Sequence, residues 1–135
     1  MLKVLVIDDD PAMTDILKYH LTAGGMDVKV FNDGQNALNR IEVFKPNIIL
    51  LDLLMPELDG WEVCRTIKSK YIVPILILSA VDNPSRIADA LDAGADDYLI
   101  KPVTAESLIA HIKNLVKRTN QNLLPKFLQQ EKIRN

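Results

Sequence analysis

The chain contains one cysteine, Cys64, so no disulfide can close within it, and a reducing cytoplasm is the expected compartment. It has no uninterrupted apolar stretch near the roughly 18 residues that a membrane helix needs. Its opening residues, Met1-Leu2-Lys3-Val4, lack the layout of a signal peptide. No membrane partner is expected. An excess of positive charge is also missing: 16 Lys and Arg stand against 18 Asp and Glu, a formal net charge of −2. That balance removes the electrostatic case for direct nucleic-acid binding by the whole chain. The charge is unevenly spread, with acids crowding Asp8 to Asp10 and mostly bases from Lys113 onward (Lys117, Arg118, Lys126, Lys132 and Arg134 against Glu131). What is present is ample for a core, since 48% of the 135 residues are hydrophobic and 25% charged, a balance that fits one globular domain.

Strand-like and helix-like stretches alternate five times. The spacing predicts strands over Lys3 to Asp8, Asp27 to Phe31, Asn47 to Asp52, Pro74 to Ser79 and Asp97 to Ile100. Helical stripes lie between them: Met13, Ile16, Leu17 and Leu21; Leu38, Ile41 and Phe44; Val63, Cys64 and Ile67; Ile87, Ala90 and Leu91; Leu108, Ile112, Leu115 and Val116. Gly24-Gly25 and Gly94 fall where helices should stop, Pro11 and Pro84 where they should start, and Thr104 can cap the last one. Connections this short imply parallel strands covered by helices on both faces. The expected architecture is α/β: a three-layer (βα)5 doubly wound sandwich with a five-stranded parallel sheet in the order 2-1-3-4-5. The domain is expected to span 1–118. Past about Thr119 the pattern fades, and 119–135 reads equally as a helix extension, a linker or a disordered tail.

Four of the five strands end in a reactive group. The first ends in Asp8-Asp9, the third in Asp52, the fourth in Ser79, and the fifth in Lys101 followed by Pro102. In a parallel α/β sheet the carboxyl ends of the strands are where ligands bind. Neighbouring strands lie roughly 4.8 Å apart, so the Lys101 side chain can span most of the gap to the third strand. Three carboxylates in one crevice repel one another, each pair by about 4 kcal/mol at 4 Å and an effective dielectric near 20. The Lys101 ammonium and a divalent cation are two remedies. With only hard oxygens at hand and no His or thiolate near, that cation is Mg²⁺ or Mn²⁺ rather than zinc. Such a site suits phosphoryl transfer onto Asp52, with the cation and Lys101 neutralising phosphate oxygens and Ser79 donating a hydrogen bond.

These residues carry a family resemblance. Val4-Leu5-Val6-Ile7-Asp8-Asp9-Asp10, Leu51-Asp52-Leu53-Leu54-Met55-Pro56 with Asp59-Gly60, Leu78-Ser79-Ala80, and Ala93-Gly94-Ala95-Asp96-Asp97-Tyr98-Leu99-Ile100-Lys101-Pro102 follow in order. From about Lys3 to Arg118 the chain resembles the receiver domain of two-component response regulators, whose fold is flavodoxin-like, or CheY-like. The resemblance implies that Asp52 is the phosphoacceptor and that Asp9, Asp52 and the Leu54 backbone carbonyl bind Mg²⁺, with Asp8 acting mainly through water. It further implies that Lys101 contacts the phosphoryl group, that Ser79 and Tyr98 are the switch pair, and that the Lys101-Pro102 bond is cis. The expected role is not that of an enzyme but of a signalling switch in a phosphorelay that promotes its own phosphorylation and dephosphorylation. The donor would be a phosphohistidine on a sensor histidine kinase or phosphotransfer protein. The output would be a changed surface on the fourth helix, fifth strand and fifth helix, acting on a partner, a phosphorylation-dependent homodimer, or an output domain that regulates transcription and alone touches DNA.

Blander readings attach to each residue taken singly. Asp8 to Asp10 would cap a helix, Ser79 would close a local hydrogen bond, Tyr98 would be a half-buried strand aromatic, and Lys101 a surface lysine. Trp61 and Cys64 read as packing or partner-facing residues, and His20 and His111 as solvated helix residues. Two rival functions use similar sheets. A haloacid-dehalogenase-type phosphatase wants a second acid two residues after the nucleophile, where Leu54 stands. A flavodoxin-type carrier wants a hydroxyl- and glycine-rich loop where Asp9-Asp10-Pro11 stands. The run Gly94-Ala95-Asp96-Asp97-Tyr98 and the basic end of the last helix resemble regulators that carry a winged-helix DNA-binding domain. The Glu and Arg with which that subfamily pairs its fifth helices are here Ser107 and His111, and Val103 replaces its Phe. A stand-alone receiver acting by protein contact and a fragment of a longer regulator are both compatible with the chain.

Overall fold

A computed structural model describes residues 1–56 and 58–122. The five strand-like stretches are strands β1 (Lys3–Ile7), β2 (Asp27–Phe31), β3 (Ile48–Leu51), β4 (Ile75–Ser79) and β5 (Asp97–Ile100). Between and after them run helices α1 (Pro11–Ala23), α2 (Gly34–Phe44), α3 (Gly60–Lys70), α4 (Pro84–Asp92) and α5 (Ala105–Asn122). All strand pairs are parallel and the order is β2-β1-β3-β4-β5, the expected doubly wound sheet. The last helix continues to Asn122, and the remainder of the tail, 123–135, lies outside the described residues.

The central strands are apolar from Val4 to Ile7, Ile48 to Leu51 and Ile75 to Leu78 because successive side chains feed two different cores. Leu5, Ile7, Ile49, Leu51, Ile75 and Ile77 pack with α2, α3 and α4. Val4, Val6, Ile48, Leu50, Leu76 and Leu78 pack with α1 and α5. Fully burying one such side chain contributes about 1.5–3 kcal/mol. A polar residue within these runs would therefore be costly, and each run ends where the first one appears.

Two helical stripes differ from expectation. In α1 the buried positions are Thr14, Leu17 and Leu21, while Ile16 is exposed. The spacing 14, 17, 21 is one face of a 3.6-residue period, and Ile16 lies to one side of it. In α4 only Ala90 is buried, and Leu91 is exposed. That helix is nine residues long and is held at its start by Trp61 of α3. The Trp61 indole N–H donates to the Arg86 carbonyl at 3.2 Å, and the Arg86 guanidinium lies 4.0 Å from the ring centroid.

The capping residues are as expected. Asp10 accepts hydrogen bonds from Ala12 and Met13, Pro11 and Pro84 open their helices, and the Thr104 hydroxyl accepts from the Ser107 amide. Gly94 has φ +113°, a conformation that closes the α4–β5 turn and strains any residue with a Cβ. No helix among the described residues is long and apolar enough to cross a membrane.

Candidate functional site

Because the strands are parallel, their carboxyl ends share one edge. Ile7 pairs with Leu51 at the last register position of β1 and β3, so Asp8 and Asp52 are the next step of both chains. The Asp52 amide still donates to the Ile7 carbonyl at 2.9 Å, which holds this acid to the sheet although it lies past the strand. Asp8 and Asp52 are both buried, Asp52 only 8% exposed. Oxygens of Asp8, Asp9 and Asp52 lie within 4.8 Å of one another. Three hard anionic donors at that spacing fit a divalent cation of the magnesium type.

Lys101 enters from the far side of the sheet. Its amide donates to the Ser79 carbonyl at 2.9 Å, and its Nζ reaches Asp8 Oδ2 at 2.8 Å and Asp52 Oδ2 at 3.4 Å. Burial by itself would lower the lysine pKa. The hydrogen bond to Asp8 and the charges of Asp52 and Asp8 outweigh it, so the ammonium titrates above its ordinary value. The contribution of this raised pKa to stability is present below the ordinary lysine range and is lost as pH climbs through the folded-state value. The site therefore keeps its cation throughout the neutral range. The Lys101-Pro102 bond is cis.

Asp8 and Asp52 each also meet one backbone donor. Asp52 Oδ1 accepts from the Leu54 amide at 3.3 Å, and Asp8 Oδ1 accepts from the Asp10 amide at 3.0 Å. Leu54 forms an isolated antiparallel bridge with Asp59, whose carboxylate caps α3 through the Trp61 amide. That bridge folds the loop after Asp52 back on itself. Gly60 closes it, with its amide on the Leu53 carbonyl at 3.2 Å.

Ser79 is fully buried at the end of β4, and its Oγ accepts from the Val81 amide at 3.3 Å. The Tyr98 hydroxyl donates to the carbonyl of the same Val81 at 2.6 Å. Burial pushes the Tyr98 phenol above its usual pKa; the Ser79 hydroxyl works against that shift, and the charges of Asp52 and Asp82 add to it. The structure thus brings Asp8, Asp9, Asp52 and Lys101 into one cluster, with Ser79 and Tyr98 joined through Val81. Leu54 presents its backbone to Asp52 and an exposed side chain, 54% accessible, to solvent.

Two polar residues next to the cluster escaped the sequence reading. Asn32, just past β2, donates from Nδ2 to the Asp8 carbonyl at 2.7 Å and to Thr14 Oγ1 at 3.1 Å. The only sequence signal was Thr14 itself, a hydroxyl at a position the helical period turns inward. Cys64 belongs to the core rather than the site: burial pushes its thiol up to about 11, with Sγ 3.8 Å from the Ala93 carbonyl. At neutral pH it should react with a disulfide reagent such as dithionitrobenzoate only on unfolding. Rapid labelling of the folded chain would contradict this.

Comparison with known proteins agrees with the geometry. Residues 4–113 match the family described as the response regulator receiver domain. The chain belongs to that family. This receiver domain of a two-component response regulator is 44% identical over 119 residues to response regulator MprA of Mycobacterium leprae, covering 87% of this chain and 52% of that protein. It thus spans about half the length of the curated relatives it matches. The Francisella response regulator 1452 receiver domain superposes with a TM-score of 0.82 at 37% identity, covering 88% of this chain and 99% of that one. The BeF3-activated N-terminal receiver domain of Klebsiella pneumoniae RstA gives 0.81 at 30% identity, covering 84% and 97%. The family is one of signalling switches, which sets aside the phosphatase and flavin-carrier alternatives.

Proposed function

We propose that Asp52 accepts a phosphoryl group from a phosphohistidine on a sensor kinase or phosphotransfer protein, and that this switches the surface made by α4, β5 and α5. The observation that carries the reading is the cluster of Asp8, Asp9 and Asp52 within 4.8 Å, with Lys101 Nζ against two of them. One Asp52 oxygen attacks phosphorus in line, the P–N bond to the donor imidazole breaks, and the imidazole leaves with the electron pair and takes up a proton. Asp8, Asp9, Asp52 and the Leu54 carbonyl would hold Mg²⁺ or Mn²⁺, which supplies positive charge to the phosphoryl oxygens. The Lys101 ammonium neutralises a further oxygen, and the Ser79 hydroxyl, on leaving the Val81 amide, donates to another.

The signal would run through Val81. Phosphorylation adds about −1.5 to −2 charge at Asp52 and draws Ser79 toward it. Tyr98 already holds the Val81 carbonyl, so the phosphoryl group would favour this pose over others rather than create it. The responding face carries the exposed side chains of Leu91 and Ile100 and the exposed ion pair of Arg118 with Asp97 at 4.0 Å. At the two positions where winged-helix regulators carry Glu and Arg, His111 Nδ1 lies 2.8 Å from the Ser107 carbonyl. A homodimer through this face would accordingly lack that Glu–Arg pairing. In this reading transcriptional control and DNA contact belong to an output domain outside these residues.

Incubation with acetyl phosphate should label the chain only when Mg²⁺ or Mn²⁺ is present, and label acquired in EDTA would overturn the proposal. The acyl phosphate should also be long-lived. Leu54 and Val81 flank the site, and neither side chain offers a group to position an attacking water. With no phosphatase present its half-life should run well beyond seconds, and decay within seconds would contradict that expectation.

A further inference from the structure

The three acids of the cluster are not held equally. Asp8 and Asp52 each meet Lys101 and a backbone amide. Among the described residues, no hydrogen bond or ion pair reaches the Asp9 carboxylate. Its aim depends on the backbone that carries it.

On its carboxyl side that backbone is held by the Asp10 amide, which donates to Asp8 Oδ1, and on its amino side it is pinned by one further side chain. The Asp8 carbonyl and the Asp9 amide share a single peptide plane, so fixing the direction of the carbonyl fixes the plane from which Asp9 departs. The carbonyl accepts from Asn32 Nδ2 at 2.7 Å. The same Nδ2 donates to Thr14 Oγ1 at 3.1 Å, and the Thr14 hydroxyl donates onward to the Pro11 carbonyl at 3.1 Å. Thr14 is only 1% exposed, so this tie is anchored in the core of α1 and not on a mobile surface group. Asn32 itself is exposed and adds little packing. Its effect should be on direction more than on stability.

We infer that Asn32 is a positioning residue for a divalent cation: by tying the Asp8 carbonyl to Thr14 it sets the peptide plane that aims Asp9 at Asp52. The inference rests on the reading of Asp8, Asp9 and Asp52 as a cation site. Metal ligands are commonly oriented by outer hydrogen-bond partners, and loss of such a partner weakens binding by about 10- to 100-fold. Here the partner acts through the main chain, so the lower end applies.

The test is Mn²⁺ binding to the 135-residue chain, followed by loss of the free-ion paramagnetic resonance signal, with Mg²⁺ measured by competition. Asn32→Ala should raise the dissociation constant roughly tenfold while the metal-free melting temperature moves little. Thr14→Val, which keeps the shape and removes the hydroxyl, should shift affinity the same way by less. Unchanged affinity in Asn32→Ala, with or without a lowered melting temperature, would make the tie merely structural and overturn the inference while leaving the proposed function intact. Should Asn32→Ala fail to fold, unchanged affinity in Thr14→Val overturns it equally. Failure of the unaltered chain to bind either ion removes the cation-site reading and the inference together.

Discussion

Asp52→Asn should lose phosphoryl incorporation from acetyl phosphate and Mg²⁺ by at least about 100-fold while the chain becomes more stable, not less. The first half follows from chemistry, since an amide oxygen is a poor nucleophile and its phosphoryl adduct does not persist. The second follows from the crowding around Asp52. Three carboxylates share a space 4.8 Å across with one ammonium, which is closer to Asp8 than to Asp52. Removing one negative charge relieves repulsion, and the amide can still accept from the Leu54 N–H that the carboxylate used. A gain of about 1 kcal/mol, visible as a higher melting temperature in EDTA, is the expected scale after screening. Label retained by the variant would place the acceptor elsewhere. A lower melting temperature would mean that Lys101 already balances the cluster.

Gly60→Ala should be the most damaging single methyl addition near the site. A Cβ at Gly60 would sit 2.5 Å from Leu53 Cα, 2.7 Å from the Leu53 oxygen and 2.9 Å from the Asp52 oxygen. All three are main-chain atoms of the strand end and loop that carry the acceptor, so nothing can rotate out of the way. Relief requires α3 or that loop to shift, at a cost of about 3 kcal/mol. For a chain of this size that corresponds to a melting temperature roughly 10 °C lower. The same shift moves Asp52 relative to Asp8, so the labelling rate should fall even at temperatures where the variant is folded. Gly34→Ala is the control. Its nearest neighbour, at 2.5 Å, is Leu58 Cδ1, the tip of a flexible side chain that can turn away. Equal melting temperatures for the two variants would contradict the argument.

The site was largely legible in the sequence because Asp8, Asp52, Ser79 and Lys101 are each the first polar residue after an apolar run, and Asp9 follows Asp8 directly. Asp8, Asp52 and Lys101 follow strands in register, and parallel pairing brings strand ends together without further information. The sheet order was legible for the same reason, since strand-helix alternation with short links leaves few topologies. What escaped depends on contacts between elements distant in the chain. Asn32 is one polar residue in an ordinary loop, and its use becomes visible only when that loop closes over Asp8, 24 positions away. The Trp61–Arg86 clamp joins residues 25 apart on different helices. Ile16 is apolar and so reads as part of a buried stripe, although the period favours Thr14. Hydrophobicity and periodicity disagreed there, and periodicity won.

The light seating of α4 has a thermodynamic meaning. A helix anchored by one buried alanine and one indole can shift or fray locally at a small fraction of the free energy of global unfolding, whereas α5, with Leu108, Ile112, Leu115 and Val116 inside, cannot. A covalent modification can redistribute only those states that lie within a few kcal/mol of the ground state. Among the helices that flank β5, α4 is therefore the compliant half and α5 the fixed half. A ligand that grips both would read a change of relative position against a stationary reference.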